Sequence, residues 1–227
     1  SMNGSTIYAG GGGIYTSSNF GNTWTNLNNG IPGGENVMSL ASVGSNIFVG
    51  SNGNGIYRST NGGASFALSN TGLPASSQVT SLLINGSNIF AGLGLNGIYL
   101  STNNGATWSP VNTGLTGIGA GPVYSIVVKG SNLFACVHAN GAFLSTNNGA
   151  SWSAVSTGLP NLFVNSFAVN GTDLFAAMDN NGVYKSTDDG TTWTAANGGI
   201  ENTRVFAVAI MGANIFAGTV GSAVYST

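Results

Sequence analysis

Three carboxylates, Glu35, Asp179 and Glu201, and one guanidinium, Arg204, come nearest to a reactive set in this chain. Inverting glycoside hydrolysis needs two carboxyl groups about 6.5–9.5 Å apart on one face. A catalytic reading predicts Asp179 and Glu201 in a shared cleft with at least one raised pKa; the plainer reading is three solvated loop acids. His138 is the single histidine and has no acid near it in sequence. A Ser-His-Asp set is uninformative here because serine is everywhere. Cys136, the single cysteine, sits in an apolar run and reads as a buried, unreactive thiol. One His and one Cys make no zinc spacing. Asp188-Asp189-Gly190 is the one acidic pair beside a glycine, but its copies elsewhere carry Asn and need no cation. No metal and no cofactor are expected.

Charged residues make up only 4% of the 227 positions, with a net charge of −2. Four scattered cations, Arg58, Lys129, Lys185 and Arg204, cannot neutralise a run of phosphates. Nucleic acid and anionic membranes are therefore excluded as expected partners. Apolar residues reach 42%, so the chain should fold, with Ser, Thr, Asn and Gly as its polar surface. No stretch approaches the roughly 18–20 apolar residues of a membrane span. Ser1-Met2 reads as a cloning remnant, with any export signal trimmed away, and the low-charge surface suggests an extracellular or periplasmic protein.

The elements that must position these groups follow from a repeat. Ser101–Trp108 (STNNGATW) recurs as Ser17–Trp24, Ser59–Phe66, Ser145–Trp152 and Ser186–Trp193, with closing aromatics 42, 42, 44 and 41 residues apart. That period suits a four-stranded propeller blade. Each unit holds four apolar runs, A to D. Run A is Val37–Ala41, Val79–Ile84, Val123–Val128, Val164–Val169 and Val205–Ile210, and its apolar character on both faces makes it the expected innermost strand. Run B is Ile7–Gly10, Ile47–Gly50, Ile89–Gly92, Leu133–Cys136, Leu174–Ala177 and Ile215–Gly218. Gly44, Gly86, Gly130, Gly171 and Gly212 should turn A into B. Run C is Ile14–Thr16, Ile56–Arg58, Ile98–Leu100, Ala142–Leu144, Val183–Lys185 and Ala223–Tyr225. Run D starts at each box aromatic. The order is BCD, four times ABCD, then ABC. This predicts one all-β domain over 1–227 of six blades with incomplete first and last sheets; five blades with an overhanging hairpin is the alternative.

In the box, the Asn103 side chain, or Asp188 in the last copy, should accept backbone N–H groups, while Gly105 takes a left-handed conformation. The turn then aims Trp24, Phe66, Trp108, Trp152 and Trp193 into the sheets as anchors. Truncating such a buried indole to Ala costs about 3–5 kcal/mol.

This pattern resembles the Asp-box, or BNR repeat, S-x-D-x-G-x-x-W, of sialidase- and sortilin-type propellers, xyloglucan-active glycosidases and photosystem assembly propellers. It is also similar to repetitive secreted propellers of bacteria. The chain departs from the pattern with Asn at Asn19, Asn61, Asn103 and Asn147 and Phe at Phe66. The resemblance implies a structural turn remote from any active centre. Sialidases grip a carboxylate with three arginines; this chain has Arg58 and Arg204 only, so that chemistry is excluded.

Positions that differ between copies are free of the common packing role. Before run A stand Asn36, Gln78, Pro122, Phe163 and Arg204; in the B–C loop stand Asn52, Gly94, His138, Asp179 and Val220. Both rows fall on one propeller face and suit a small polar ligand, or else they have drifted. Asn54, Asn96, Asn140 and Asn181 recur before run C, where each amide can meet a sugar hydroxyl or cap a turn. The reading is a non-catalytic, lectin-like binding module for a glycan or another small polar ligand. A protein-interaction scaffold is the alternative, with an exposed apolar patch near Leu115–Ile118 or Leu162-Phe163. A glycosidase-like enzyme comes third.

Overall fold

The computed structural model describes residues 1–227 apart from Ile118, Ala120, Asn202, Ser222, Ala223 and Thr227. The described residues form six antiparallel sheets, each a simple meander. They divide into two compact units, Ser1–Pro110 and Val111–Thr227, with three sheets apiece. These six sheets are the six blades that the repeat predicts.

In the first unit the second sheet runs Val37–Val43, Asn46–Ser51, Ile56–Ser59, Ala67–Leu68. The third runs Val79–Asn85, Asn88–Leu93, Ile98–Ser101, Ser109–Pro110. The second unit opens with Val123–Lys129, Asn132–Val137, Gly141–Ser145, Ser153–Ala154 and continues with Val164–Asn170, Asp173–Met178, Gly182–Ser186, Thr194–Ala195. Its last sheet has three described strands, Val205–Met211, Asn214–Thr219 and Val224–Ser226. Ala223, assigned above to run C, lies outside the described residues.

The first sheet is more complete than the repeat predicts. Met2–Asn3 pairs with Thr6–Gly11 as a short A strand, ahead of Gly13–Ser17 and Thr25–Asn26. Its hairpin Asn3-Gly4-Ser5-Thr6 copies Asn85-Gly86-Ser87-Asn88. In both, two residues join the strands and the first is a glycine with φ near 60°, the pattern of a type II′ turn.

Burial corrects the reason given for run A, its apolar character on both faces, while the A strands of successive sheets within each unit do lie against one another, as innermost strands do. Strand B is the covered one: Ile47, Phe48, Val49 and Ser51 are all at 0% exposure. Strand A lies at the edge of each sheet's ladder, and in Val37–Val43 only Val37 and Ala41 are buried. B carries the core because it has ladder neighbours on both sides and apolar side chains on both faces. The core lies between successive sheets within each unit. Phe48, Val79, Phe90 and Trp108 are buried in the first unit, and Phe134, Val164, Phe167 and Trp193 in the second.

The A strands of the second to sixth sheets also carry a bulge at their second residue. Val37 faces Ser51 and Ser39 faces Gly50, leaving Met38 as the extra residue. Thr80, Tyr124, Asn165 and Phe206 occupy the same place in the later sheets. A bulge re-aims the side chain it inserts.

The box is one hydrogen-bonded turn in five copies. In the third, Ser101 Oγ donates to Asn103 Oδ1 at 2.9 Å and accepts from Gly105 N at 2.8 Å. Asn103 Oδ1 also accepts from Thr107 N at 2.9 Å, and Asn103 Nδ2 donates to Thr107 Oγ1 at 2.8 Å. In the acidic copy the last bond reverses, so that Thr192 Oγ1 donates to Asp188 Oδ2 at 2.6 Å. Asn104 and Gly105 are both left-handed, with φ of 55° and 81°.

The closing aromatic anchors backward. Trp108 Nε1 donates to Ser69 O, Trp152 Nε1 to Val111 O, and Trp193 Nε1 to Val155 O. Beside these bonds run Phe66 N to Asn29 O, Trp108 N to Thr71 O, Trp152 N to Thr113 O and Trp193 N to Thr157 O. Trp108, Trp152 and Trp193 are 3% exposed and Phe66 6%, but Trp24 is 44% exposed. Trp24 thus departs from the expected anchor role, its indole lying exposed instead of against a neighbouring loop.

Candidate functional site

The two rows of variable loop residues meet in every sheet that carries both. Asn52 N donates to Asn36 O, Gly94 N to Gln78 O, His138 N to Pro122 O, Asp179 N to Phe163 O and Val220 N to Arg204 O, all between 2.9 and 3.2 Å. The shared bond sits next to the bulge, so the re-aimed second residue of strand A stands beside both rows.

In the second unit these positions gather into one surface. The His138 ring lies between Tyr124 and Phe163, with centroid distances of 5.2 and 5.1 Å. Arg204 Nε donates to the Asp179 carboxylate, and its guanidinium lies 5.8 Å from the Phe206 ring centre. Tyr124, Asn165 and Phe206 line a depression of about 270 Å³. Asn165 is buried, with Nδ2 donating to Val205 O at 2.9 Å. Tyr124, Phe163 and Phe206 are 40%, 43% and 55% exposed. The surface thus offers three aromatic faces, an imidazole and a fixed ion pair around a shallow, partly polar hollow.

Tyr124, Asn165 and Phe206 are absent from the residues expected from sequence. The signal was present as the variable second residue of run A, where Met38, Thr80, Tyr124, Asn165 and Phe206 differ from copy to copy. Strict strand alternation hides it, because only a bulge turns that residue toward the loops.

Elsewhere the candidates have structural partners. Gln78 Nε2 donates to Asn52 Oδ1 at 2.7 Å. Glu35 is 7% exposed and accepts from Asn54 Nδ2 at 2.7 Å and Tyr57 Oη at 3.2 Å. Burial first, then the charge and hydrogen bond of Glu35, push the Tyr57 hydroxyl above its ordinary pKa. Asn140 Nδ2 donates to the carbonyls of Gly117 and His138. Asn181 Oδ1 accepts from Asn161 Nδ2 at 2.5 Å, and Asn96 is also engaged. The side chains of Asn54, Asn140 and Asn181 thus all have partners within the protein.

The catalytic pair does not take the form it requires. Asp179 is committed to Arg204. Glu201 is exposed, and the backbone N–H groups of Glu201 itself and of Gly199 hold its carboxyl below the usual range, opposite to the raised value a general acid needs. Among the described residues no three of His, Cys, Asp and Glu converge as a metal site. Of the apolar patches expected from sequence, Leu115 is buried at 7%, Ile118 lies outside the described residues, and Leu162 and Phe163 are exposed.

The DUF6242 beta propeller domain family matches residues 5–117 and again 99–201. This chain belongs to that family. Comparison with curated proteins finds no match. Among solved structures, an ancestral GH74 enzyme superposes with a TM-score of 0.82 at 22% identity, over 98% of this chain and 34% of that one. The extracellular domain of the one component system BT4673 from B. thetaiotaomicron gives 0.79 at 14% identity, over 99% and 31%. YCF48 bound to D1 peptide gives 0.73 at 13% identity, over 97% and 73%. At these identities the likeness concerns the fold. The DUF6242 propeller spans about a third of the length of the first two.

Proposed function

We propose that this DUF6242 propeller is an extracellular, non-catalytic binding module that holds a carbohydrate against the Tyr124, Phe163 and Phe206 surface. The repeated turn is read as an Asp-box whose acidic position is mostly Asn. The observation that carries the proposal is three exposed aromatic rings gathered around Asn165, His138 and the Arg204–Asp179 pair. Aromatic faces cover the apolar C–H face of a sugar ring, while amide, imidazole and ion-paired groups meet its hydroxyls. Pairing also keeps Arg204 and Asp179 oriented without net charge, which favours neutral over strongly charged ligands. The BT4673 neighbour supports an extracellular setting.

A protein or peptide partner is the second reading, supported by the exposed Leu162-Phe163 step and by the peptide-bound YCF48 neighbour. A glycan array with purified protein separates the two. Binding competed by free sugar and lost in a Tyr124→Ala/Phe163→Ala variant supports the carbohydrate surface. A blank array, or binding unchanged by that variant, overturns it.

A further inference from the structure

A second site lies in the first unit, around Arg58. Three of the four cations have acid partners: Lys129 with Asp189, Lys185 with Asp173, and Arg204 with Asp179. Arg58 has no acid partner among the described residues, which include all six acids. Its Nε is shut off from solvent and has no hydrogen-bond acceptor. Buried donors in folded proteins are normally satisfied, so the missing acceptor leaves the Arg58 guanidinium uncompensated within the protein.

The sheets supply an internal control. Arg58 faces Phe48 across its ladder, as Lys185 faces Phe175. Both cations lie over those rings, at 6.0 and 5.8 Å from the centroids. Lys185 is neutralised by Asp173 at 2.6 Å, from the first residue of strand B. In the Arg58 sheet that residue is Asn46, which is neutral and accepts from Asn104 Nδ2 at 3.1 Å. The same blade position thus holds a compensated cation in one sheet and an uncompensated one in the other.

Arg58 also lines a cavity of about 300 Å³ together with Thr60, Ser65, Ser69, Thr71 and Gly105. No acid lines it. The glycine keeps the wall thin: a Cβ on Gly105 would fall 2.7 Å from Phe48 Cε1 and 3.5 Å from Arg58 Cδ.

We propose that this cavity binds a small hydroxylated carboxylate of the sugar-acid type, with Arg58 as the anion ligand. A planar guanidinium matches a carboxylate with two parallel N–H···O bonds. The Phe48 ring lies beneath the guanidinium carbon, and the serine and threonine hydroxyls suit a polyhydroxylated body. The site is separate from the aromatic surface of the second unit and stands or falls independently of it.

The chain has two arginines, Arg58 and Arg204, so their Nε–H signals can be followed individually by ¹⁵N–¹H NMR. Sodium D-glucuronate, D-glucose, acetate and sulfate are titrated at constant ionic strength. Glucuronate should move the Arg58 Nε–H and the Gly105 amide saturably, whatever the Arg204 signal does. Acetate should bind about tenfold more weakly, as expected from losing one or two hydrogen bonds, and glucose should leave the Arg58 and Gly105 signals in place. Arg58→Gln should abolish the saturable Gly105 shift, and Arg58→Lys, which keeps charge without the fork, should weaken it. An Arg58 signal unmoved by glucuronate overturns the proposal. So do equal responses to sulfate, which mark an unselective anion contact, and a Gly105 shift that survives in Arg58→Gln. The wild-type titration decides even if a variant fails to fold.

Discussion

The indole N–H of Trp108 donates to the main-chain carbonyl of Ser69 at 2.8 Å. That bond ties the turn of the third sheet to the D strand end of the second, and the tie recurs at Trp193 with Val155. Trp108→Ala and Trp193→Ala should each lose about 3–5 kcal/mol of unfolding free energy, because a large buried side chain leaves a cavity and an orphaned carbonyl. Trp24→Ala, at a 44% exposed position, should stay nearer the roughly 0.5 kcal/mol typical of surface changes. Chemical denaturation of the three variants checks the contrast, and equal losses would contradict it.

Gly72 sits under the backbone of the same residue. A Cβ there would fall 2.0 Å from Trp108 O, and its φ is +94°. Gly114 repeats the arrangement beneath Trp152. Gly72→Ala should lower stability by at least the roughly 1–3 kcal/mol of a strained backbone residue. Gly86→Ala, with φ of +59° and nothing near its would-be Cβ, carries the backbone strain alone and should cost less. Thermal unfolding of the pair isolates the steric part.

Asp188 gives the protein an acid sensitivity that the four Asn-bearing boxes lack. Hydrogen bonds from Thr192 and Ser186 lower its pKa from 3.8 to about 2. Its folded-state value lies below its unfolded one, so the stabilisation is fully present above about pH 4 and is lost as pH falls toward 2. Asp188→Asn should flatten that part of the stability profile. The variant keeps the turn, because Asn103 already makes it with an amide. Melting temperatures of both proteins between pH 2 and 5 test this.

The Cys136 thiol should be inert in the folded protein. It is fully buried, and desolvation pushes its pKa up to about 12. Thiolate, the reactive form, is therefore scarce at neutral pH. A thiol reagent should label it only in denaturant, and rapid labelling of native protein would contradict the burial.

The box shows how much was legible in the residues alone. Ser101, Asn103, Gly105 and Trp108 make a turn from bonds within eight residues, so their types and spacing sufficed to predict it, and the repeat period sufficed for the blade. The short strand Met2–Asn3 escaped that reading, because two residues give no periodicity to detect, although its hairpin glycine Gly4 repeats the place of Gly86.

Other features depend on contacts that sequence order does not encode. Trp24 closes a box of the same pattern as Trp108 yet is 44% exposed where Trp108 is 3% exposed, so similar motifs end in different burial. Strand B outranks strand A in burial because of its central place in the ladder. Tyr124, Asn165 and Phe206 reach the loop surface only through a bulge, a register defect with no fixed residue signature. Arg58 and Lys185 look alike in sequence, and only the pairing of Lys185 with Asp173 reveals that Arg58 stands unpaired. Local hydrogen bonds and repeat spacing determined the blades; long-range packing decided which side chains each blade leaves free to bind.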